Sequence, residues 1–155
     1  MSDLAREYVV CQLWAELPSI LDGGPVRLAY LHGSVAEGCP LPFSDVDLAL
    51  VLAPGHGLSP YQRLRLELDI AAKLEARCGW KKVDVRSIND APVMVQGTVL
   101  TEGVRVYSAD EEFRVEYEPL TWKRYFDFLP VAHMMRRAYF ERLRSQKASA
   151  NDQSR

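Results

Sequence analysis

The most informative segment of the sequence is Leu31-His-Gly-Ser-Val-Ala-Glu-Gly-Cys-Pro-Leu-Pro-Phe-Ser-Asp-Val-Asp-Leu-Ala-Leu-Val51. It begins where the apolar run 26–31 ends, and such a run is typical of a short buried strand. Gly33 then allows a backbone turn that a Cβ atom would obstruct, and it lets a ligand approach the main chain. Ser34 offers a hydroxyl and an N–H group to an anion. If a helical turn begins there, its unpaired N–H groups favour the same charge.

Ten residues after Ser34, the stretch ends in a second strand pattern that carries two acids. Side chains alternate along a strand, so Asp45 and Asp47 share one face while Val46 takes the other. These carboxylates repel each other unless a cation lies between them, and hard oxygen ligands suit Mg²⁺. Asp84 lies among β-branched neighbours on the next strand-like segment, where an unpaired charge is costly. Together, the turn and the acids indicate a phosphate and metal site.

The rest of the sequence predicts one domain, residues 1–147, followed by a polar and disordered tail at 148–155. Residues 38–44 contain two prolines and predict an irregular loop. Apolar periodicity, capping residues and proline positions predict four helices. The first covers 3–21, the second runs from Ser59-Pro60 to a cap at Gly79, and the third begins at 90–92. The fourth covers 109–147, with interruptions at Pro119 and Pro130. A short strand is expected at 104–107.

Composition narrows the class of protein. The 155 residues are 48% hydrophobic, which is enough for one buried core. A formal net charge of −2 argues against a general nucleic-acid binder. The three cysteines are odd in number and lack metal-ligand spacing, and there is no signal peptide or long apolar stretch. We therefore expect a cytoplasmic protein with free thiols and no membrane association.

The motif resembles that of the nucleotidyltransferase superfamily related to DNA polymerase β. The resemblance is greatest to its smallest branch, the minimal nucleotidyltransferases (MNT) of bacteria and archaea. The family motif is Gly-Ser, ten residues and Asp-x-Asp, which this chain matches without a gap. Similarity extends over 25–143, including the segments 89–92, 98–107 and 126–130. It implies an α/β (α+β) nucleotidyltransferase fold, with a small mixed β-sheet flanked by helices and with C-terminal helices.

The resemblance also implies the chemistry. Asp45, Asp47 and Asp84 would be catalytic and would hold two Mg²⁺ ions, and Asp84 would help to deprotonate the acceptor hydroxyl. Gly33 and Ser34 would bind the triphosphate of the donor, ATP. A nucleoside monophosphate would be transferred to the acceptor while pyrophosphate leaves.

One departure from the family concerns positive charge. Many relatives carry Arg or Lys just after Gly-Ser, where this chain has Val-Ala-Glu at 35–37. Compensation of the triphosphate charge is then left to the metals, to the helix end, or to Lys81, Lys82 or Arg86. His32 is interpreted as a strand-end histidine rather than a phosphate ligand.

The acceptor is suggested by family resemblance and by length. Only 71 residues follow Asp84, which leaves no room for a separate acceptor domain. MNT proteins resembling this one are typically paired with an all-helical HEPN ribonuclease toxin, and some transfer AMP to a toxin tyrosine. The leading hypothesis is therefore an antitoxin that adenylylates such a toxin. The alternatives are a binding-only antitoxin that occludes the toxin, and a dimeric small-molecule (antibiotic) nucleotidyltransferase.

The C-terminal segment is more apolar than one helix face can bury. Between 125 and 143 it carries aromatic, Met, Leu, Val and Ala side chains on every side of the predicted helix. Core packing explains most of them, and the remainder could contact a partner. Met135 and Tyr139, one helical turn apart, are the candidate anchors.

Overall fold

The computed structural model of the protein describes residues 2–38 and 45–152, with side chains described for 4–38 and 45–149. Helices and strands alternate along this part of the chain. In order they are α1 (Ser2–Leu21), β1 (Val26–His32), α2 (Gly33–Ala36), β2 (Val46–Leu52), α3 (Pro60–Cys78), β3 (Val83–Ser87), α4 (Val93–Glu102), β4 (Val104–Ser108) and α5 (Glu111–Asp152). Except for Gly38, the loop predicted at 38–44 lies outside the described residues.

The four strands form one mixed sheet in the order β3-β2-β1-β4. β1 pairs antiparallel with β2 and with β4, whereas β2 and β3 are parallel. A parallel pair needs a crossover connection, and α3 supplies it between β2 and β3. The predicted fold class, a small mixed sheet flanked by helices, is confirmed.

Helices cover both faces of the sheet. On one face, α1 and α3 pack on alternate strand residues, with Leu13, Leu17, Leu48 and Leu74 fully buried. On the other face, α4 and α5 pack on Leu28, Tyr30, Ala49 and Val51. The central strands are therefore buried on both sides, which is why β2 is almost continuously apolar. None of the described helices is both long and apolar enough to cross a membrane.

Local signals predicted the first and third helices well. Along α1, Val9, Leu13, Leu17 and Leu21 are buried at helical spacing, although Leu4 is exposed. At the start of α3, the Ser59 side chain accepts from the backbone N–H of Gln62, and the Gln62 side chain accepts from the N–H of Ser59. This reciprocal pair is a capping box. The helix ends at Gly79, which has the expected left-handed conformation, with φ +69°.

The last helix differs from the prediction. α5 runs without interruption through Pro119 and Pro130 and continues past Lys147 to Asp152, over part of the predicted tail. Proline removes one backbone hydrogen bond and crowds the preceding turn, which usually ends or kinks a helix. Around Pro119, packing of the buried Glu118 and Thr121 outweighs this cost. From 130 to 149 nearly every described side chain is exposed.

Candidate active site

The predicted acids meet at one end of the sheet. Asp45 directly precedes β2, Asp47 is its second residue, and Asp84 is the second residue of β3. The parallel register pairs Asp47 with Asp84, and the antiparallel register pairs Asp47 with His32. His32, Asp47 and Asp84 therefore form a row across three neighbouring strands. Asp47 shares its face with Ala49, on the side that α4 and α5 cover further along the strand.

Gly33 lies against this row. Its φ is +74°, in the left-handed region that favours glycine. A Cβ atom at Gly33 would overlap Oδ2 of Asp47 and would lie 3.3 Å from its Cγ. The predicted reasons for this glycine were a turn and close approach of a ligand. The structure adds a third reason, because only glycine leaves space for the Asp47 carboxylate.

Ser34 belongs to α2, a single helical turn that follows β1 directly, and its side chain is half-buried. The next two side chains, Val35 and Ala36, are buried in the core, whereas Glu37 is exposed. Burial in the core explains why residues 35 and 36 are apolar. The role of Gly33 and Ser34 in phosphate binding stays a prediction.

Two basic residues contact the predicted metal ligands. Nζ of Lys82 lies 2.6 Å from Oδ2 of Asp45, and Nε of Arg86 donates to Oδ1 of Asp84 at 3.1 Å. The Lys82 carbonyl also accepts from the backbone N–H of Val46, at 3.2 Å, which fixes Lys82 beside Asp45. Both basic side chains are mostly exposed. Among the described residues, the site therefore brings the cations of Lys82 and Arg86 to the three carboxylates.

The pKa values reflect this crowding of charge. Burial raises the pKa of Asp47, the carboxylates of Asp84 and Asp45 raise it further, and His32 and Lys82 act in the opposite direction. Burial lowers the pKa of His32 despite the attraction of the Asp47 and Asp84 carboxylates. The hydrogen bond to Asp45 raises the pKa of Lys82, and all three acids contribute to that rise. The Lys82 ammonium group thus lies in the field of the whole acid cluster.

The donor set fits a hard divalent cation, but its coordination geometry is not preformed. Within residues 2–38 and 45–152, no group of three or more His, Cys, Asp or Glu side chains is arranged to hold a metal ion. Asp45 and Asp84 face Lys82 and Arg86 instead. Because both ion pairs are solvent-exposed, they contribute little to stability and oppose rotation of the carboxylates only weakly. Three carboxylates at one sheet end suit Mg²⁺ once they turn inward.

A buried polar cluster behind the site was not predicted. Glu118 of α5 is 5% exposed, and it accepts hydrogen bonds from Tyr30 at 2.8 Å and from Arg105 and Arg114 at 2.9 Å each. Burial raises the pKa of Glu118, but these hydrogen bonds outweigh burial and leave the pKa below its ordinary value. The cluster ties α5 to β1 and β4. The sequence carries no signal for it, because a glutamate in a helix usually faces solvent.

Two further glutamates position the strand that carries Asp84. β3 is an edge strand, and two glutamate side chains of α3 accept hydrogen bonds from its N–H groups. Glu75 accepts from the backbone N–H of Val83 at 2.9 Å, and Glu67 accepts from the N–H and the hydroxyl of Ser87 at 2.8 and 2.6 Å. Side chains thus occupy N–H groups that an edge strand would otherwise expose. They hold β3, and with it Asp84, in place.

Two solved structures with a similar fold are chains from toxin–antitoxin complexes. A chain from a toxin–antitoxin complex with AMP-PNP is 20% identical to this protein, covers 84% of this chain and 97% of its own, and superposes with a TM-score of 0.61. A chain from the Shewanella oneidensis complex of a tri-AMPylated HEPN toxin with its MNT antitoxin is 19% identical, covers 92% and 98%, and has a TM-score of 0.53. Identity this low establishes a shared fold alone.

The family is established by sequence. No curated protein matches the chain. The sequence pattern of the family described as "Polymerase beta, Nucleotidyltransferase" matches residues 16–112, which is more than half of the chain. That range contains Gly33, Ser34 and the three acids at the sheet end. The chain therefore belongs to the polymerase beta nucleotidyltransferase family.

Proposed function

We propose that the protein is a Mg²⁺-dependent antitoxin that transfers AMP from ATP to a tyrosine of a HEPN-type ribonuclease toxin. The observation that carries this proposal is the row of His32, Asp47 and Asp84 across three strands, with Asp45 and Gly33 beside it. The proposed partner rests on similarity in fold to chains solved in complexes of toxin and antitoxin.

In this proposal each site residue has a separate task. Asp45 and Asp47 would hold two Mg²⁺ ions, and Asp84 would be a further ligand. Bound there, Mg²⁺ would neutralise charge on the triphosphate and make the α-phosphorus a better electrophile. Gly33 leaves the main chain open to the triphosphate, and Ser34 offers its hydroxyl and N–H group to the phosphate oxygens.

The transfer is an in-line displacement. The tyrosine oxygen forms a bond to the α-phosphorus of ATP, and the bond from that phosphorus to the bridging oxygen breaks. Pyrophosphate leaves with the bonding electrons, and Asp84 accepts the phenolic proton. Asp84 is suited to this task because it lies at the outer strand of the row and is partly exposed, so an acceptor from a second molecule can approach it.

A surface for that second molecule is available on α5. Large apolar side chains are exposed between residues 126 and 140 of this helix, and exposed apolar patches are typical of interaction sites. They are Phe126, Phe128, Val131, Met134, Met135, Tyr139 and Phe140. Met135 and Tyr139, the candidate anchors, are 63% and 60% exposed, so they do not form part of the core of this chain.

The test is the intact mass of a HEPN-type toxin that is co-expressed with this protein. We expect the mass to rise by one or more AMP groups located on tyrosine, and to stay unchanged with the Asp45→Asn, Asp47→Asn double variant. An inhibited toxin without added mass would support the binding-only antitoxin. Transfer of AMP to a small-molecule hydroxyl in the absence of toxin would support the third alternative.

A further inference from the structure

The structure indicates which segments of the chain can supply positive charge to a bound triphosphate. In the segment after Gly33-Ser34, Val35 and Ala36 are 4% and 2% exposed and belong to the core, while Glu37 is an exposed acid. The segment therefore adds a negative charge to its surroundings rather than a positive one. Cations for a bound triphosphate have to come from another element.

β3 brings two cations to the acids. Lys82 directly precedes this strand, and its Nζ lies 2.6 Å from Oδ2 of Asp45, the residue before β2. Arg86 lies two residues after Asp84, so both side chains project from the same face of the strand. Each basic side chain is 65% exposed, on a long flexible stem.

We propose that Lys82 and Arg86 are the triphosphate-binding residues of this site, and that in the nucleotide-free protein they occupy the carboxylates that the metal ions take on loading. This inference rests on the proposed function. Binding of metal and nucleotide would then exchange ion-pair partners. Asp45 and Asp84 would bind the metal ions instead of Lys82 and Arg86, and the two basic side chains would contact the phosphate oxygens.

The exchange is favourable for electrostatic reasons. Without metal, three carboxylates close together would repel one another, and Lys82 and Arg86 reduce that repulsion. With metal and nucleotide bound, the carboxylates have a stronger counter-ion, while the triphosphate adds negative charge nearby. The same two cations then stabilise the ligand. Arg86 can offer a phosphate two parallel N–H donors, and Lys82 acts as a compact point charge.

This exchange predicts opposite effects on two binding equilibria. In Lys82→Ala and Arg86→Ala, Mn²⁺ alone should bind as tightly as to the wild type or more tightly, because a competitor for the carboxylate is gone. AMP-PNP in the presence of Mn²⁺ should bind about tenfold more weakly, since a charge-assisted hydrogen bond to phosphate is lost. Lys82→Arg should retain most of the nucleotide affinity. Lys73→Ala, which removes an exposed ion pair to Asp69 on α3, is the matched control.

Calorimetry with AMP-PNP and electron paramagnetic resonance with Mn²⁺ measure the two equilibria on the full chain, and thermal unfolding verifies that each variant is folded. Unchanged AMP-PNP affinity in both alanine variants would overturn this inference and leave the proposed function standing. A parallel loss of Mn²⁺ and AMP-PNP affinity would also overturn it, because the cations would then only order the carboxylates. Failure of the wild type to bind AMP-PNP would overturn the proposed function together with this inference.

Discussion

Gly33→Ala is expected to destabilise the protein and to disturb the site at the same time. The φ of +74° costs an alanine about 1–2 kcal/mol, because its Cβ crowds the following carbonyl oxygen. In addition, the new Cβ overlaps the Asp47 carboxylate, which has to rotate away. Leaving a preferred rotamer adds about 0.5–1.5 kcal/mol. The sum is about 1.5–3.5 kcal/mol.

Gly55 offers a control that separates these two costs. Its φ is +67°, close to that of Gly33, but nothing lies within 4 Å of a Cβ placed there. Gly55→Ala should therefore cost about 1–2 kcal/mol, the backbone contribution alone. In an Asp47→Ala background the carboxylate is absent, and Gly33→Ala should cost no more than Gly55→Ala does. The double-mutant cycle then isolates the contact between residues 33 and 47.

Urea unfolding at neutral pH measures the differences in unfolding free energy among these variants. In thermal unfolding, each kcal/mol lost should lower the melting temperature by about 2–4 °C in a domain of this size. Binding of Mn²⁺ should weaken in Gly33→Ala and remain unchanged in Gly55→Ala. Equal losses of stability in the two alanine variants would contradict a contact between residues 33 and 47. An equal loss at Gly33 with and without the Asp47 side chain would contradict it too, as would equal Mn²⁺ affinity in the two variants.

Three further predictions concern α5 and its neighbours. Glu118→Gln should lower the unfolding free energy by about 1–3 kcal/mol at neutral pH, because charged donors lose their counter-ion. The pKa of Glu118 is depressed in the folded state, so the stability difference between wild type and Glu118→Gln should be complete above the ordinary pKa of 4.5. The difference should vanish as the pH falls through the pKa of the folded state. Urea titrations at several pH values measure it. Gly97→Ala should lower the free energy of unfolding by about 1–3 kcal/mol, because the new Cβ would overlap the Tyr125 ring. Alanine has a helix propensity about 1 kcal/mol better than that of glycine, and we expect the overlap to outweigh this gain. Increased thermal stability would contradict this prediction. Met135→Glu with Tyr139→Glu should leave the melting temperature unchanged and weaken toxin binding in a pull-down, and the opposite pattern would exclude α5 as the partner surface.

Features that depend on neighbouring residues in the sequence were predictable. Apolar spacing predicted the buried face of α1, and Ser59-Pro60 and Gly79 predicted both ends of α3. Spacing also predicted that Asp45 and Asp47 would share one face, because side chains alternate along an extended chain. In the structure Asp45 directly precedes β2 and Asp47 is its second residue. Asp84 was expected to join these acids because it lies on the next strand-like segment, and the parallel register places it opposite Asp47.

Features that depend on contacts between distant segments were not predictable. The buried Glu118 cluster joins residues from β1, β4 and α5. The glutamates that accept hydrogen bonds from the N–H groups of β3, Glu67 and Glu75, come from α3. Single-sequence patterns carry no information about such pairings. The prediction that α5 would break at Pro119 was wrong for the same reason, since packing of Glu118 and Thr121 in the interior outweighs the local preference of proline. The helix also continues through Pro130. The pairing of Lys82 with Asp45 likewise became visible only once β2 and β3 were adjacent.

We propose that Asp45, Asp47 and Asp84 form a nucleotide-loaded metal site beside Gly33 and Ser34. This proposal can be tested with a crystal structure of the protein with Mn²⁺ and AMP-PNP, with anomalous scattering measured at the manganese edge. We expect manganese peaks within bonding distance of Asp45 and Asp47, the triphosphate at Ser34, and Lys82 and Arg86 released from their carboxylates. Nucleotide bound at another part of the chain, or manganese absent from these carboxylates while the nucleotide is present, would contradict it.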